Sequence, residues 1–209
     1  MKTILGLVRP DRGSVRVLGV DPQQNPNQVK GMVGYVPEAP RLYEFLTGVE
    51  YLDFVADVHG LSDDLKRQRV NEFMHAFELQ GQENELISGY SQGMKQKIAI
   101  IAALLHKPRV LIMDEVLNGL DPRSARIVKD LVHQLALEGV ATLFSTHVLE
   151  IAEAICDEVT IMNHGETIAE GKVPKLREQA GLPGSSLEEI FLKLTGTGDV
   201  QALVEALAR

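Results

Sequence analysis

Residues 109–122 read RVLIMDEVLNGLDP. Val110 to Met113 are four apolar residues in a row, without polar alternation. A short run of that kind marks a strand buried on both faces, and such strands belong to parallel sheets. At its C-terminal end stand two adjacent carboxylates, Asp114 and Glu115. Ligands of open α/β sheets bind at that end. Asp121-Pro122 then opens a helix, with aspartate as N-cap and proline at the first helical position.

The same alternation of strand and helix extends in both directions. Residues 140–144 give a second buried strand, followed by a helix over 148–156. Upstream, residues 32–36 form a strand stopped by Pro37 and Pro40, and SVRVLG at 14–19 forms another, flanked by Gly13 and Gly19. From 49 to about 79 the spacing is helical: Tyr51, Leu52, Val55 and Val58 mark one stripe, and Val70, Phe73, Met74 and Phe77 a second. Residues 91–105 make a third helix with Ser91 as N-cap. Residues 159–162 and 166–170 flank the turn Asn163-His164-Gly165, a hairpin. Beyond Gly171 the pattern is again helical, and Ser186 and Glu189 are spaced as a capping box. The expected fold is α/β: a parallel sheet with helices on both faces, a helical insertion over about 48–106, and C-terminal helices. The expected division is a domain over 1–172 and a helical tail over 173–209.

Composition narrows the function. The chain has 209 residues, 44% hydrophobic and 24% charged, which suits one globular domain with an appended piece. Lys plus Arg number 21 and Asp plus Glu 29, for a net charge of −8. An acidic chain is poorly suited to duplex nucleic acid, so no nucleic-acid partner is expected. A single cysteine, Cys156, excludes an internal disulfide and a cysteine zinc cluster. The longest apolar run, Ile98 to Leu105, has eight residues and is far too short to span a bilayer. A signal peptide is rejected because the apolar part of the N-terminus runs only from Ile4 to Val8 before Arg9. The expected location is the cytoplasm.

Three segments carry chemistry. Adjacent carboxylates repel and lose hydration on burial. A Mg²⁺ ion held with phosphate oxygens would relieve that cost at Asp114, and Glu115 could orient a water for attack on a phosphoryl group. The alternative is an acidic pair that merely caps the strand exit. In YSQGM, Ser91, Gln92 and Gly93 open an apolar helix, where backbone N–H groups and the helix dipole favour an anion. The alternative is a plain serine N-cap. His147, in STH, follows an apolar strand and could contact a terminal phosphate and the attacking water. The alternative is a helix-capping histidine. His59, His75, His106, His133 and His164 have no acid or histidine at ligand spacing.

In order, YSQGMKQK, LIMDE about twenty residues later, NGLD and STH resemble the ATP-binding subunit of an ABC transporter. The pieces are weak singly and specific jointly, and the resemblance covers essentially the whole chain. It implies that Ser91, Gln92, Gly93 and Met94 stand at the signature motif. Asp114 and Glu115 then stand at Walker B, Asn118, Gly119, Leu120 and Asp121 at the D-loop, and His147 at the switch histidine. GYVPEAPRLYEFLTGVEYL occupies the Q-loop region, with Glu38 where the family has glutamine. The tail SSLEEIFLKLTG is similar to exporter-type members. The implied cofactors are ATP and Mg²⁺. The implied partners are a membrane-spanning permease subunit, met by residues 34–46, and a second ABC ATPase subunit packed head to tail. The implied place is the inner face of the cell membrane.

The sequence departs from the family at Gln92, Met94, Glu38 and Val116. No G-x-x-x-x-G-K-[ST] occurs in the 209 residues. Residues 2–8 match the end of the helix that follows a phosphate loop, and 9–19 the next strand. The chain is therefore expected to lack the Walker A region and its strands, and to be poorly stable and without ATPase activity by itself. Two other readings stand beside the ATPase subunit. One is a degenerate subunit that lends its signature motif to a complete partner; the other is an inactive gene fragment. ABC proteins acting on DNA or ribosomes fit less well, since this chain has neither a long coiled coil nor a second module.

Overall fold

The computed structural model describes residues 1–196. Its contacts divide into two compact units, Met1–Ser145 and a second beginning at Thr146. In the first, β1 (Val33–Val36), β2 (Val110–Asp114) and β3 (Ala141–Ser145) form a parallel sheet in that order. The register pairs Val33 with Val110 and Asp114 with Ser145.

Strand alternation sorts β2 between two faces. Leu111 and Met113 enter the main core with α4 (Gln92–Leu104) and α5 (Pro122–Leu137), the latter through Val128 and Val132. Val110 and Ile112 face a second cluster with Leu5, Val17 and Val29, the last on α1 (Pro26–Met32). Both faces of the central strand are thus covered, as its unbroken apolar run requires. α4 is enclosed over nine successive residues, Gln96 to Leu104. That explains its nearly continuous apolar sequence.

Between β1 and β2 the chain makes α2 (Gly48–Val58), α3 (Asp63–Ala76), a 3-10 turn (Ile87–Gly89) and α4. Thr47 and Glu50 form a capping box at the start of α2. The two ends of the α2–α3 part of this excursion are stapled together. Thr47 bridges Leu86, the Val49 N–H donates to Glu83 O at 3.1 Å, and the Ile87 N–H donates to Leu46 O at 2.9 Å. A side chain at Gly48 would collide with the Tyr90 hydroxyl.

Three sequence expectations are corrected. SVRVLG is not a strand. Val17 and Val20 exchange backbone hydrogen bonds of 2.8 and 2.9 Å around Leu18 (φ 49) and Gly19 (φ 85). Two successive left-handed residues make a tight reversal, so the apolar alternation folds back on itself. Residues 2–8 form hydrogen-bonded turns rather than a helix end, with the Leu7 N–H donating to Lys2 O at 3.0 Å. β3 is not buried on both faces: Leu143 is 42% exposed, on a strand at one edge of the sheet that pairs with β2 alone among the described residues. The sequence reading also omitted α1, whose signal was Pro26 at the first helical turn after Asn25.

The second unit holds α6 (Leu149–Ile155), the antiparallel hairpin β4 (Val159–Asn163) and β5 (Glu166–Gly171), α7 (Val173–Ala180) and α8 (Leu187–Thr195). The expected turn closes the hairpin through His164 (φ 49) and Gly165 (φ 83). Its core gathers Ala152, Ile161, Leu176, Ala180, Leu187 and Ile190. Glu153 accepts from Arg177 Nη2 at 2.6 Å and from the Leu187 N–H at 2.9 Å, tying three helices. The capping box of Ser186 and Glu189 is present. Residues 197–209 of the expected helical tail lie outside the described residues.

Candidate functional site

Asp114 ends β2, and the parallel register sets it beside Ser145, whose hydroxyl donates to its Oδ1. The Asp114 carboxylate is thus held in place at the C-terminal edge of the sheet. Tyr35 on the neighbouring β1 feels that charge: burial first, and then Asp114, push its phenol above its ordinary value.

Glu115 leaves the strand in the left-handed region at φ 51. A non-glycine residue there costs about 1–2 kcal/mol, and such strain gathers at functional sites. Its N–H donates to Ser145 O at 3.1 Å, and Asn118 Nδ2 donates to its Oε2 at 3.3 Å. The two adjacent acids are therefore set apart by backbone geometry. One stays in the strand and the other turns out of it.

Residues 118–121 follow as a tight loop. Gly119 has φ 80, which a side chain would strain. Asp121 caps α5, its Oδ1 accepting from the Ser124 N–H at 2.8 Å and its Oδ2 from the Ser124 hydroxyl at 2.6 Å. These bonds, reinforced by Lys97, hold its carboxyl well below the usual carboxylate range.

Ser91 caps α4, its Oγ accepting from the Met94 N–H at 3.2 Å. Met94 packs against the main core. Gly93 lies directly on the 118–121 loop: a Cβ there would stand 3.0 Å from Gly119 O. The Gln92 side chain lies 3.9 Å from a Cβ built at Gly119. Two segments that the sequence separates by more than twenty residues are thus in contact within one unit.

Glu38 is exposed in the bend after β1, next to Pro37, whose carbonyl accepts from Gln96 Nε2 at 3.4 Å. His147 is exposed between β3 and α6 and belongs to the second unit. Sequence reasoning missed Ser145, Ser124, Gln96 and Lys97. Only Gln96 and Lys97 left a trace, as two polar residues opening an apolar helical run.

No group of three acid, histidine or cysteine side chains that could enclose a metal occurs among the described residues. The hard oxygens of Asp114 and Ser145 suit Mg²⁺, which takes one or two protein ligands and completes its shell with phosphate and water. The site fits Mg²⁺ bound together with a nucleotide rather than a free-standing metal site.

The parallel sheet, with a carboxylate at the end of its buried central strand and helices on both faces, has the α/β architecture of P-loop NTPase domains. A solved structure described as the ATP binding subunit of an ABC transporter superposes with TM-score 0.89 at 35% identity, covering 93% of this chain and 81% of that one. The family model described as ABC transporter matches residues 1–118. EcsA of Bacillus subtilis strain 168, an ABC-type transporter ATP-binding protein, is 34% identical over 195 residues, covering 93% of this chain and 79% of EcsA. YxlF of the same strain, an ABC transporter ATP-binding protein, is 36% identical over 86% of this chain, which spans 59% of YxlF's length. The chain belongs to the ABC transporter family of ATP-binding subunits. No helix among the described residues is long and apolar enough to cross a membrane.

Proposed function

We propose that this chain is the ATP-hydrolysing subunit of an ABC transporter and drives export through a separate membrane-spanning permease, at the cytoplasmic face of the cell membrane. The contact of Gly93 with Gly119 carries this reading. It presents a helix N-terminus and an acidic-capped loop as one surface, as a site completed between two ATPase subunits requires. Asp114 would hold Mg²⁺, which neutralises phosphate charge when bound with ATP. Glu115 would polarise the attacking water, and His147 would hold the terminal phosphate. The Ser91–Gly93 end of α4 would face the nucleotide on the second subunit. Residues 34–46, which include the exposed Tyr43 and Phe45, would meet the permease.

One observation favours a second reading. The 209 residues hold no G-x-x-x-x-G-K-[ST], and such a loop supplies backbone N–H groups and a lysine to the phosphates. On the first reading the intact protein carries such a loop. On the second, the chain lends its signature surface to a complete partner and does not turn over ATP itself.

The intact mass of the native polypeptide decides between them. A mass several kilodaltons above 23.0 kDa supports the first reading, and a mass at 23.0 kDa supports the second. In the ATPase-competent protein, Glu115→Gln abolishes turnover and keeps ATP binding. Near wild-type turnover by that variant removes Glu115 from the proposed role.

A further inference from the structure

α4 carries two polar residues inside its enclosed stretch, Gln96 and Lys97, at 1% and 9% exposure. A buried lysine persists when a counter-charge meets it. The Lys97 Nζ lies 3.1 Å from Asp121 Oδ2, the oxygen that also takes the Ser124 hydroxyl. Ser124 is itself 2% exposed. Gln96 makes a parallel tie, to the Pro37 carbonyl beside Glu38. Of the enclosed polar side chains Arg69, Gln96, Lys97 and Ser124, Gln96 and Lys97 therefore tie α4 to the two loops that the ATPase reading uses, and Ser124 bonds the same Asp121 carboxylate from α5. Packing alone would be met by a leucine at 97. The sequence instead encloses a charge and spends it on the N-cap of α5.

We propose that Lys97 is a positioning residue that locks residues 118–121 to the signature helix, so that the two segments move as one body. Gln96 makes the matching tie to the segment after β1. The consequence for turnover rests on the ATPase reading, whereas the lock is a property of this chain alone. Without Lys97 the close approach of Gly93 and Gly119 is left to backbone packing. The loop is then free to drift from the helix that must be presented with it.

Hydrogen exchange by mass spectrometry on the 209-residue chain tests the lock without ATP. Lys97→Met is expected to speed exchange at residues 117–124 at least fivefold while β2 and residues 98–104 exchange as in the parent. Lys97→Arg, which keeps the charge and the reach, restores slow exchange. Asp121→Asn keeps the cap acceptor for the Ser124 N–H but removes the charge. It changes a carboxylate 48% exposed, so it stands in should Lys97→Met fail to fold. It is expected to reproduce the effect, and the double variant to add nothing. Unchanged exchange at 117–124 in both single variants, or an equal rise across β2 and α4, overturns the lock. In the complete transporter, Lys97→Met lowers kcat at least tenfold with the KM for ATP within twofold, and Lys97→Arg restores it. Wild-type kcat in Lys97→Met overturns the positioning role. A parent transporter without ATP turnover overturns the ATPase reading, while the exchange result still decides the lock.

Discussion

Gly119 holds φ 80, and its carbonyl would stand 3.0 Å from a Cβ placed on Gly93. Gly119→Ala forces an L side chain into the left-handed region and costs about 1–2 kcal/mol, read as a lower urea midpoint at unchanged slope. Asp121 makes a pH prediction with a definite sign. Its folded carboxyl lies below the ordinary value because of the Ser124 hydrogen bonds and then Lys97. The ionised form is what the fold favours, so its contribution is complete above about pH 4, the ordinary aspartate range. It is lost as pH falls further. The stability gap between the parent and Asp121→Asn therefore narrows on acidification through that range, and a gap that widens would reverse the assignment. Asp114, Glu115, Ser91 and Asp121 were legible because local sequence sets each one: a strand end, a cap, a Pro-flanked turn. Ser145, Ser124 and Lys97 were not, because their meaning comes from partners that only the β2–β3 register and the α4–α5 packing bring near.

At the scale of elements, α2 and α4 end side by side. His59 follows α2 and His106 follows α4, and their rings stack at 3.8 Å with 8° between planes. Neither His106 nitrogen makes a hydrogen bond of normal geometry. Burial pushes His106 down to about 4, with His59 adding to the shift and the Val33 backbone opposing it. The unfolded chain takes up this proton near pH 6.5 and the folded chain only near 4, so stability falls as pH drops through that window. The loss is on the order of 3 kcal/mol. His106→Phe keeps the stack and flattens the profile between pH 6.5 and 4, as chemical denaturation at several pH values will read. The sequence treated these histidines as unremarkable because they lie 47 positions apart. Helix and strand identities were otherwise largely legible for the long periodic segments. The failures came where conformation overrode pattern: Leu18 and Gly19 reversed SVRVLG, and a lone Asn-Pro opened α1 without an apolar stripe to announce it.

For the whole molecule, the sheet's outer strand matters most. The mostly apolar stretch at 140–144, broken only by Thr142, predicted burial, yet sequence pattern cannot say which strand stands at an edge. Among the described residues β1 and β3 both do, and β3 is the exposed one, with Leu143 42% exposed. An exposed apolar edge strand templates association. Leu143→Lys is expected to cut concentration-dependent light scattering of the 209-residue chain several-fold while moving stability by less than about 0.5 kcal/mol. Unchanged scattering would place the sticky surface elsewhere.

The stapled ends of the α2–α3 excursion have an engineering consequence. Thr47 meets Leu86, and Leu46 and Val49 hold Ile87 and Glu83, so the chain departs and returns through one gate. The helices between are packed into the main core, but the turn between α2 and α3 can lengthen with the gate in place, since closing a longer loop costs only logarithmically more. Gly60, at φ 71 and with open space where a Cβ would stand, lies in the turn between α2 and α3. A fluorescent reporter grafted there would ride on the protein as a tethered passenger, leaving the gate shut beneath it.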